Sequence, residues 1–132
     1  MATLKTTLVL GSEEVTSVVD LITTIKKDLT VTGGGILVTE IDAVLESTAV
    51  TLFGACDYPL GTYIYIKNKH ATNTLKFKFS AVSPTDHQIT LTPGQAAFFP
   101  WTAECPEENT GQNDIKVFAS DIDTTLEYGA FS

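Results

Sequence analysis

The sequence contains no arginine: its 8 basic residues are all lysines, and 16 acidic residues give it a formal net charge of −8. Contacts with phosphate groups normally use lysine and arginine. Without arginine, the chain also lacks the side chain that binds carboxylates and phosphates in a bidentate way. The charge balance therefore argues against nucleic acid or an anionic membrane as the main partner.

Cysteine and long apolar runs are also scarce. Cys56 and Cys105 are too few for a disulfide scaffold and lack the spacing of a metal site, and their sequence positions leave open whether they approach each other. No apolar run approaches the roughly 18–20 residues that a membrane span requires. The start, Met-Ala-Thr-Leu-Lys, lacks the apolar region of a signal peptide. We therefore expect a chain that is made and kept in a cytosol and has no membrane partner.

Threonine is abundant, with 21 among the 132 residues, and valine and isoleucine are also plentiful. Branching at Cβ suits a pleated sheet better than a helix. A chain of this length can form one domain with a substantial core, and no linker, charge block or repeat divides it. We predict one all-β domain over residues 1–132, an antiparallel β-sandwich of jelly-roll type with room for one short helix in the N-terminal half.

Alternation of apolar and polar residues is clearest in the second half of the chain. The turn dipeptide Pro93-Gly94 separates two of these runs, and Pro100 marks the end of a strand or a sheet edge. Strands are predicted at residues 63–67, 75–79, 89–91, 95–99, 115–119 and 124–128.

The N-terminal half is more ambiguous. Residues 3–10 predict a strand, and residues 29–32 and 36–40 flank three glycines as the two arms of a hairpin would. Residues 15–29 have the apolar spacing of an amphipathic helix, but their many β-branched side chains weaken helix propensity, so we favour extended structure slightly. Residues 42–46 fit a single helical turn.

No catalytic, cofactor or metal site is predicted. The cysteines and histidines share no local signature of a nucleophilic site. Asp121 and Asp123 form an Asp-x-Asp motif that is too short to indicate a metal. The carboxylates at positions 104, 107 and 108 lie in a polar stretch that we interpret as a solvated connection. The protein is therefore expected not to be an enzyme.

One patch combines aromatic and basic residues. In a hairpin over residues 62–79, one face would carry the side chains of Tyr63, Tyr65, Lys67, Lys69, Lys76 and Lys78. Aromatics among cations are how some β-sheets stack single-stranded nucleic acid. The negative net charge disfavours that partner, and such rows also occur on ordinary outer sheet faces. We favour a protein partner or a plain surface.

From Tyr63 onward the order of features resembles a family of small tailed-bacteriophage virion proteins. The similar elements are Tyr-Ile-Tyr-Ile-Lys-Asn, Ala-Thr-Asn-Thr-Leu, Leu-Thr-Pro-Gly-Gln-Ala-Ala-Phe-Phe-Pro-Trp, Ile-Lys-Val-Phe-Ala-Ser and Thr-Thr-Leu-Glu-Tyr-Gly-Ala-Phe. The resemblance implies a β-sandwich that decorates or cements a phage head and has no catalytic residues. It further implies a virion protein made in the bacterial cytoplasm that binds the major capsid protein or another virion protein, with a homotrimer as the favoured oligomer.

The candidate partner contacts are Tyr63 and Tyr65 of the aromatic and basic patch and four large aromatics near turns, which are Phe98, Phe99, Trp101 and Phe131. For Phe98 and Trp101 the alternative is that they fill the protein's own core. Residues 1–10 and 127–132 are candidate arms that would add a strand to a partner's sheet. Alternative functions are a tail or fibre component and a carbohydrate-binding module.

Overall fold

The structure is a computed structural model that describes residues 2–11, 22–31, 34–58, 61–79, 88–102, 105 and 113–132. Contacts between Cα atoms divide the chain into two compact units, Met1–Thr32 and Gly33–Ser132.

The first unit is a two-stranded antiparallel sheet. Strand β1 (Ala2–Gly11) pairs with β2 (Ile22–Val31) along its whole length, from Ala2 opposite Val31 to Gly11 opposite Ile22. The strand predicted at residues 3–10 is thus confirmed, and so is extended structure for residues 22–29. Residues 15–21, the rest of the ambiguous segment, lie outside the described residues. The interpretation of residues 1–10 as an interaction arm stays a prediction.

The described part of the second unit contains eight strands in two antiparallel sheets. Sheet I has the order β3-β10-β5-β8, and sheet II has the order β4-β9-β6-β7. Six of the seven connections cross between the sheets, and only β6 and β7 are consecutive strands that pair with each other. Eight strands in two such sheets form a jelly roll, which confirms the predicted all-β sandwich. The strands are β3 (Gly34–Ile41), β4 (Val50–Phe53), β5 (Thr62–Asn68), β6 (Leu75–Phe79), β7 (Gln88–Leu91), β8 (Ala96–Trp101), β9 (Ile115–Ala119) and β10 (Thr124–Phe131).

The core lies between the two sheets and follows the period-2 alternation of the strands. In β5, alternate residues are fully buried and half-buried, with Ile64 and Ile66 inside. Sheet II contributes Leu75 and Phe77 of β6 to the same cluster. The ring of Phe77 stacks on that of Phe99 of sheet I, with centroids 6.0 Å apart. This stacked ring pair is therefore a direct packing contact between the two sheets.

Two predicted hairpins are wrong. Strand β2 pairs with β1, and β3 pairs with β10, so among the described residues 29–31 take their strand partner from β1 and 36–40 take theirs from β10. Strands β5 and β6 lie in different sheets, so the hairpin at residues 62–79 does not form. For β5 and β6 the physical reason is that each strand buries one face, and these two consecutive strands do so from opposite sheets of the sandwich.

Helical structure in the described residues is limited to one 3-10 turn, Glu46–Thr48. It confirms one short helical segment in the N-terminal half, shifted toward the C-terminus from the predicted residues 42–46. The Thr48 N–H and hydroxyl both donate to the Leu45 carbonyl, at 3.0 Å each. No helix in the described part of the chain is long and apolar enough to cross a bilayer.

The C-terminal strand has no free edge to offer a partner. Residues 127–131, considered above as part of an interaction arm, lie in β10, which pairs with β3 on one side and with β5 on the other. Because both rows of backbone donors and acceptors are used within the chain, this segment is an inner strand of sheet I.

A disulfide joins Cys56 and Cys105, with their Cα atoms 4.6 Å apart. Cys56 follows β4 of sheet II, and Cys105 follows β8 of sheet I. The bond therefore ties together the ends of edge strands from opposite sheets, across 49 residues of sequence.

Removing this bond should lower the free energy of unfolding by about 2–4 kcal/mol, because the unfolded chain loses a long closed loop. The measurement is urea unfolding with and without a thiol reductant. The double variant Cys56→Ser, Cys105→Ser should match the reduced protein and be indifferent to reductant. Equal stability of oxidised and reduced protein would contradict this prediction.

Candidate functional site

The outer face of sheet I carries most of the aromatic residues that the sequence singles out. In β5, Ile64 and Ile66 point into the core, so Tyr63 and Tyr65 lie on the opposite, outer side. Tyr63 is opposite Phe131 of β10, and Tyr65 is opposite Phe98 of β8. Residues opposite one another share a face, so these four rings form one surface. We call it the aromatic face: Tyr63, Tyr65, Phe98 and Phe131.

Close packing holds the rings of the aromatic face in place. Tyr63 and Phe98 stack with centroids 5.6 Å apart and planes 13° apart. Gly129 of β10 lies opposite Tyr65 of β5 and two residues before Phe131. A Cβ added to Gly129 would lie 3.2 Å from the Phe131 ring and 2.5 Å from the Gly35 carbonyl oxygen. Only glycine therefore lets β3 approach β10 this closely with the Phe131 ring beside it.

Polar contacts mark one end of the aromatic face. The Tyr65 hydroxyl donates to Glu127 Oε1 at 2.8 Å, and Lys69 Nζ lies 3.4 Å from Glu127 Oε2. Burial, and then the hydrogen bond to Glu127, raise the pKa of Tyr65 to about 12. The same hydrogen bond, with help from Lys69, lowers the pKa of Glu127. The pair thus stays a neutral phenol bound to a carboxylate over the physiological pH range.

Replacing Tyr65 by phenylalanine should make the free energy of unfolding fall less steeply as pH rises above about 10. The raised pKa of Tyr65 means that its contribution is fully present below about pH 10, the ordinary tyrosine pKa, and is lost as pH rises through about 12. Near pH 7 the free energy of unfolding of the variant should be lower by about 0.5–1.5 kcal/mol, because the variant lacks one hydrogen bond. Urea unfolding between pH 7 and about pH 11.5 tests this, with Tyr63→Phe as control. The prediction is refuted if the free energy of unfolding falls equally steeply at alkaline pH in Tyr65→Phe and in the wild type.

Trp101 is not part of this surface. Only 7% of it is exposed, and its ring lies 6.4 Å from that of Phe53 and 6.2 Å from that of Tyr58. Its interpretation as a partner contact is therefore corrected: Trp101 fills the core. The reason is its place in β8, where Ala97 and Phe99 pack against the core and Phe98 is exposed.

The four lysines that the sequence predicted on one face do not lie together in the structure. Lys67 and Lys69 lie at sheet I, whereas Lys76 and Lys78 belong to β6 of sheet II. Lys76 lies over the Phe118 ring at 5.7 Å from its centroid, and Lys78 forms an ion pair with Glu46 at 3.1 Å. The juxtaposition of aromatics and four lysines that pointed to nucleic acid is thus not formed.

Other residues considered for chemistry have structural contacts. Asp121 accepts a hydrogen bond from the Ile122 N–H, and Asp123 adopts a positive φ in the turn before β10. Both cysteines are bonded to each other, so neither is a free thiol. Glu104, Glu107, Glu108 and His87 lie outside the described residues. Within the described residues, no three His, Cys, Asp or Glu side chains converge as metal ligands would.

Sequence reasoning missed β3 as a surface element. Ile36 and Val38 lie opposite Gly129 and Glu127 of β10 and extend the outer face of sheet I beyond the aromatic face. Both are more than half exposed. The available signal was the unbroken run Ile-Leu-Val, which we interpreted only as one arm of a hairpin.

Comparisons with known proteins bear on the fold. No protein-family profile matches the sequence, and no curated protein matches it significantly. Among solved structures, a chain from Bacillus endospore appendages, described as a novel family of disulfide-linked pili, is similar with a TM-score of 0.51. The match has 15% sequence identity and covers 75% of this chain and 81% of that one. At this identity the likeness concerns the fold, and it agrees with the all-β sandwich.

Proposed function

We propose that this protein is a non-enzymatic structural subunit of an assembled particle and that it binds its neighbours through the aromatic face. The observation that carries the proposal is the position of these four rings on the outer side of sheet I, away from the core. Aromatic residues are enriched where protein interfaces are tightest, because they bury much area at low entropic cost. A jelly roll with its core filled and a ring-lined outer face is suited to surface burial.

The particle that fits the sequence resemblance best is a bacteriophage virion. In that setting the protein is a capsid decoration or cement protein that binds the major capsid protein. Binding only to the assembled shell would stabilise it by mass action. Tail or fibre attachment is the alternative within the same particle, and the predicted trimer is proposed for copies bound at a local threefold axis of the shell. The disulfide supports a final location outside the cytosol, since such bonds persist in oxidising environments.

A second candidate is a subunit of an extracellular filament. The similar solved structure comes from disulfide-linked pili, which supports this alternative through the fold. In this chain the two cysteines are bonded to each other, so the filament would have to be held by surface contacts. Electron microscopy of the purified protein separates the two candidates, because only the filament subunit should polymerise without a shell.

The virion proposal is tested by adding purified protein to particles that lack it and measuring the bound copies per coat subunit. We expect a fixed ratio that survives about 1 M salt, where the screening length falls to about 3 Å, because apolar burial dominates. Phe98→Ala should reduce occupancy by about tenfold or more at limiting protein, a loss of about 1.4 kcal/mol.

Ile89→Ala is the matched control, because Ile89 of β7 in sheet II is 40% exposed and Phe98 is 41% exposed. It should bind as the wild type does. Release of the protein by 1 M salt, or equal losses for the two variants, would overturn the proposal that the aromatic face is the contact.

A further inference from the structure

One edge of sheet I is open. Strand β3 pairs with β10 on one side, and among the described strands of the second unit none pairs with its other side. Three consecutive apolar residues of β3, Ile36, Leu37 and Val38, are 56%, 60% and 58% exposed. A row of unpaired backbone donors and acceptors with apolar side chains around it is a template for one more strand. This edge is therefore suited to pairing with another extended segment.

The other three sandwich edges are protected. Strand β8 contains Pro100, which has no N–H to donate. Strands β4 and β7 have four residues each, and the register of β4 is interrupted between Thr51 and Phe53. Short strands, prolines and irregularities are how proteins prevent edge-to-edge pairing. Strand β3 has eight residues with neither proline nor lysine, so among the described sandwich strands it alone is left suited to pairing.

The sequence of β3 is complementary to itself in the antiparallel direction. With Leu37 opposite Leu37 of a second copy, Ile36 lies opposite Val38 on the outer face, twice. This register keeps each outer residue opposite an outer residue, as sheet pairing requires. It also sets Glu40 opposite Gly34, at the far ends of the pair. A parallel, in-register pairing would instead place the two Glu40 carboxylates side by side, which is destabilising.

We propose that β3 pairs antiparallel with β3 of a second copy, so that two sheets I join into one eight-stranded sheet across a twofold axis. Such a contact uses the same surface on both chains and closes at a dimer. It places the Ile36 and Val38 positions of both chains side by side on one outer face. The inference stands whether the assembled particle is a virion, a filament or neither, because it concerns only two copies of this chain.

The first test compares two identical substitutions at equally exposed isoleucines. Ile36 is 56% exposed on β3, and Ile122 is 54% exposed in the turn before β10. In sedimentation velocity over a range of concentrations, the wild type should show a monomer–dimer equilibrium. Ile36→Lys should weaken the dimer by about tenfold or more, since the substitution enters the interface twice and replaces an apolar cross-strand pair. Ile122→Lys should leave the equilibrium unchanged.

The second test measures the register. Directly opposed residues in antiparallel strands have Cα atoms about 4.5–5.5 Å apart, within the range of about 4.4–6.8 Å that a disulfide can bridge. Mild oxidation of Leu37→Cys should therefore give a covalent dimer, and peptide mapping should place the bond at position 37 of both chains. Ile122→Cys should give none. A wild type that stays monomeric, a dimer that Ile36→Lys leaves intact, or no cross-link at position 37 would each overturn the proposal.

Discussion

Replacing Phe77 by alanine should lower the free energy of unfolding by about 3–5 kcal/mol, the range for deleting a buried phenylalanine ring. Phe77 is fully buried, and it stacks on Phe99 of the opposite sheet while meeting Phe79 edge to face at 6.2 Å. Its strand is hydrogen-bonded on both sides, to β9 and to β7. Because those ladders hold the backbone in place, the structure cannot collapse into the space that the ring leaves.

Trp101 is the natural reporter for this experiment, because it is the single tryptophan of the chain and is buried in the same core. Its fluorescence can follow urea unfolding of the wild type and the variant. Phe98→Ala is the control, since it removes the same side chain from the outer face and should lose less than about 1 kcal/mol. If the two variants were equally destabilised, Phe77 would not lie between the two sheets as described.

Local alternation predicted where the strands lie but not how they pair. Residues 63–67 and 75–79 each alternate cleanly, and both form strands, β5 and β6. Alternation shows that one face of each strand is buried; it contains no information on which neighbour supplies the hydrogen bonds. Sequence proximity suggested a hairpin, whereas the partners of β5 are β8 and β10, which are distant in sequence. Pairing in a jelly roll is therefore set by long-range packing.

The same limit explains which residues could be assigned to one face of a strand from the sequence. Tyr63 and Tyr65 could be placed on one face of β5 from the sequence, since they alternate with isoleucines. The face that Trp101 occupies depends on the phase of β8, and the run Ala-Ala-Phe-Phe-Pro-Trp does not alternate in a way that reveals it. The disulfide could not be foreseen either, because Cys56 and Cys105 follow strands of different sheets and meet only when the sandwich closes.

Asn68 shows how a polar residue can be required in a core. It ends β5 and is fully buried. Its side-chain nitrogen donates to the carbonyls of Asn73 at 2.7 Å and of Leu91 at 2.9 Å, and its side-chain oxygen accepts from the His70 N–H at 3.0 Å. One amide thus connects β5 of sheet I with β7 of sheet II and with the loop that follows β5.

Asn68→Asp should therefore destabilise the protein by about 3–5 kcal/mol at pH 7. The substitution keeps the shape but replaces the donating nitrogen with an oxygen, so the buried Leu91 carbonyl and the part-buried Asn73 carbonyl lose their donor and face a negative charge. Burial and those carbonyls raise the pKa of the new carboxyl group in the folded state. Its protonated form is then the one that the fold favours, so the loss should be smallest at low pH and grow as pH rises.

Urea unfolding at pH 4 and pH 7 measures both effects. Asn73→Asp is the matched control: Asn73 is half-buried and donates to Thr124 Oγ1 at 3.0 Å and, less closely, to the Ile122 carbonyl at 3.3 Å. We expect Asn73→Asp to lower the free energy of unfolding by about 1 kcal/mol, because water can replace the hydrogen-bond partners of this half-buried side chain. Equal losses at positions 68 and 73, or a loss at position 68 that does not shrink at pH 4, would mean that the Asn68 amide does not hold the two sheets together.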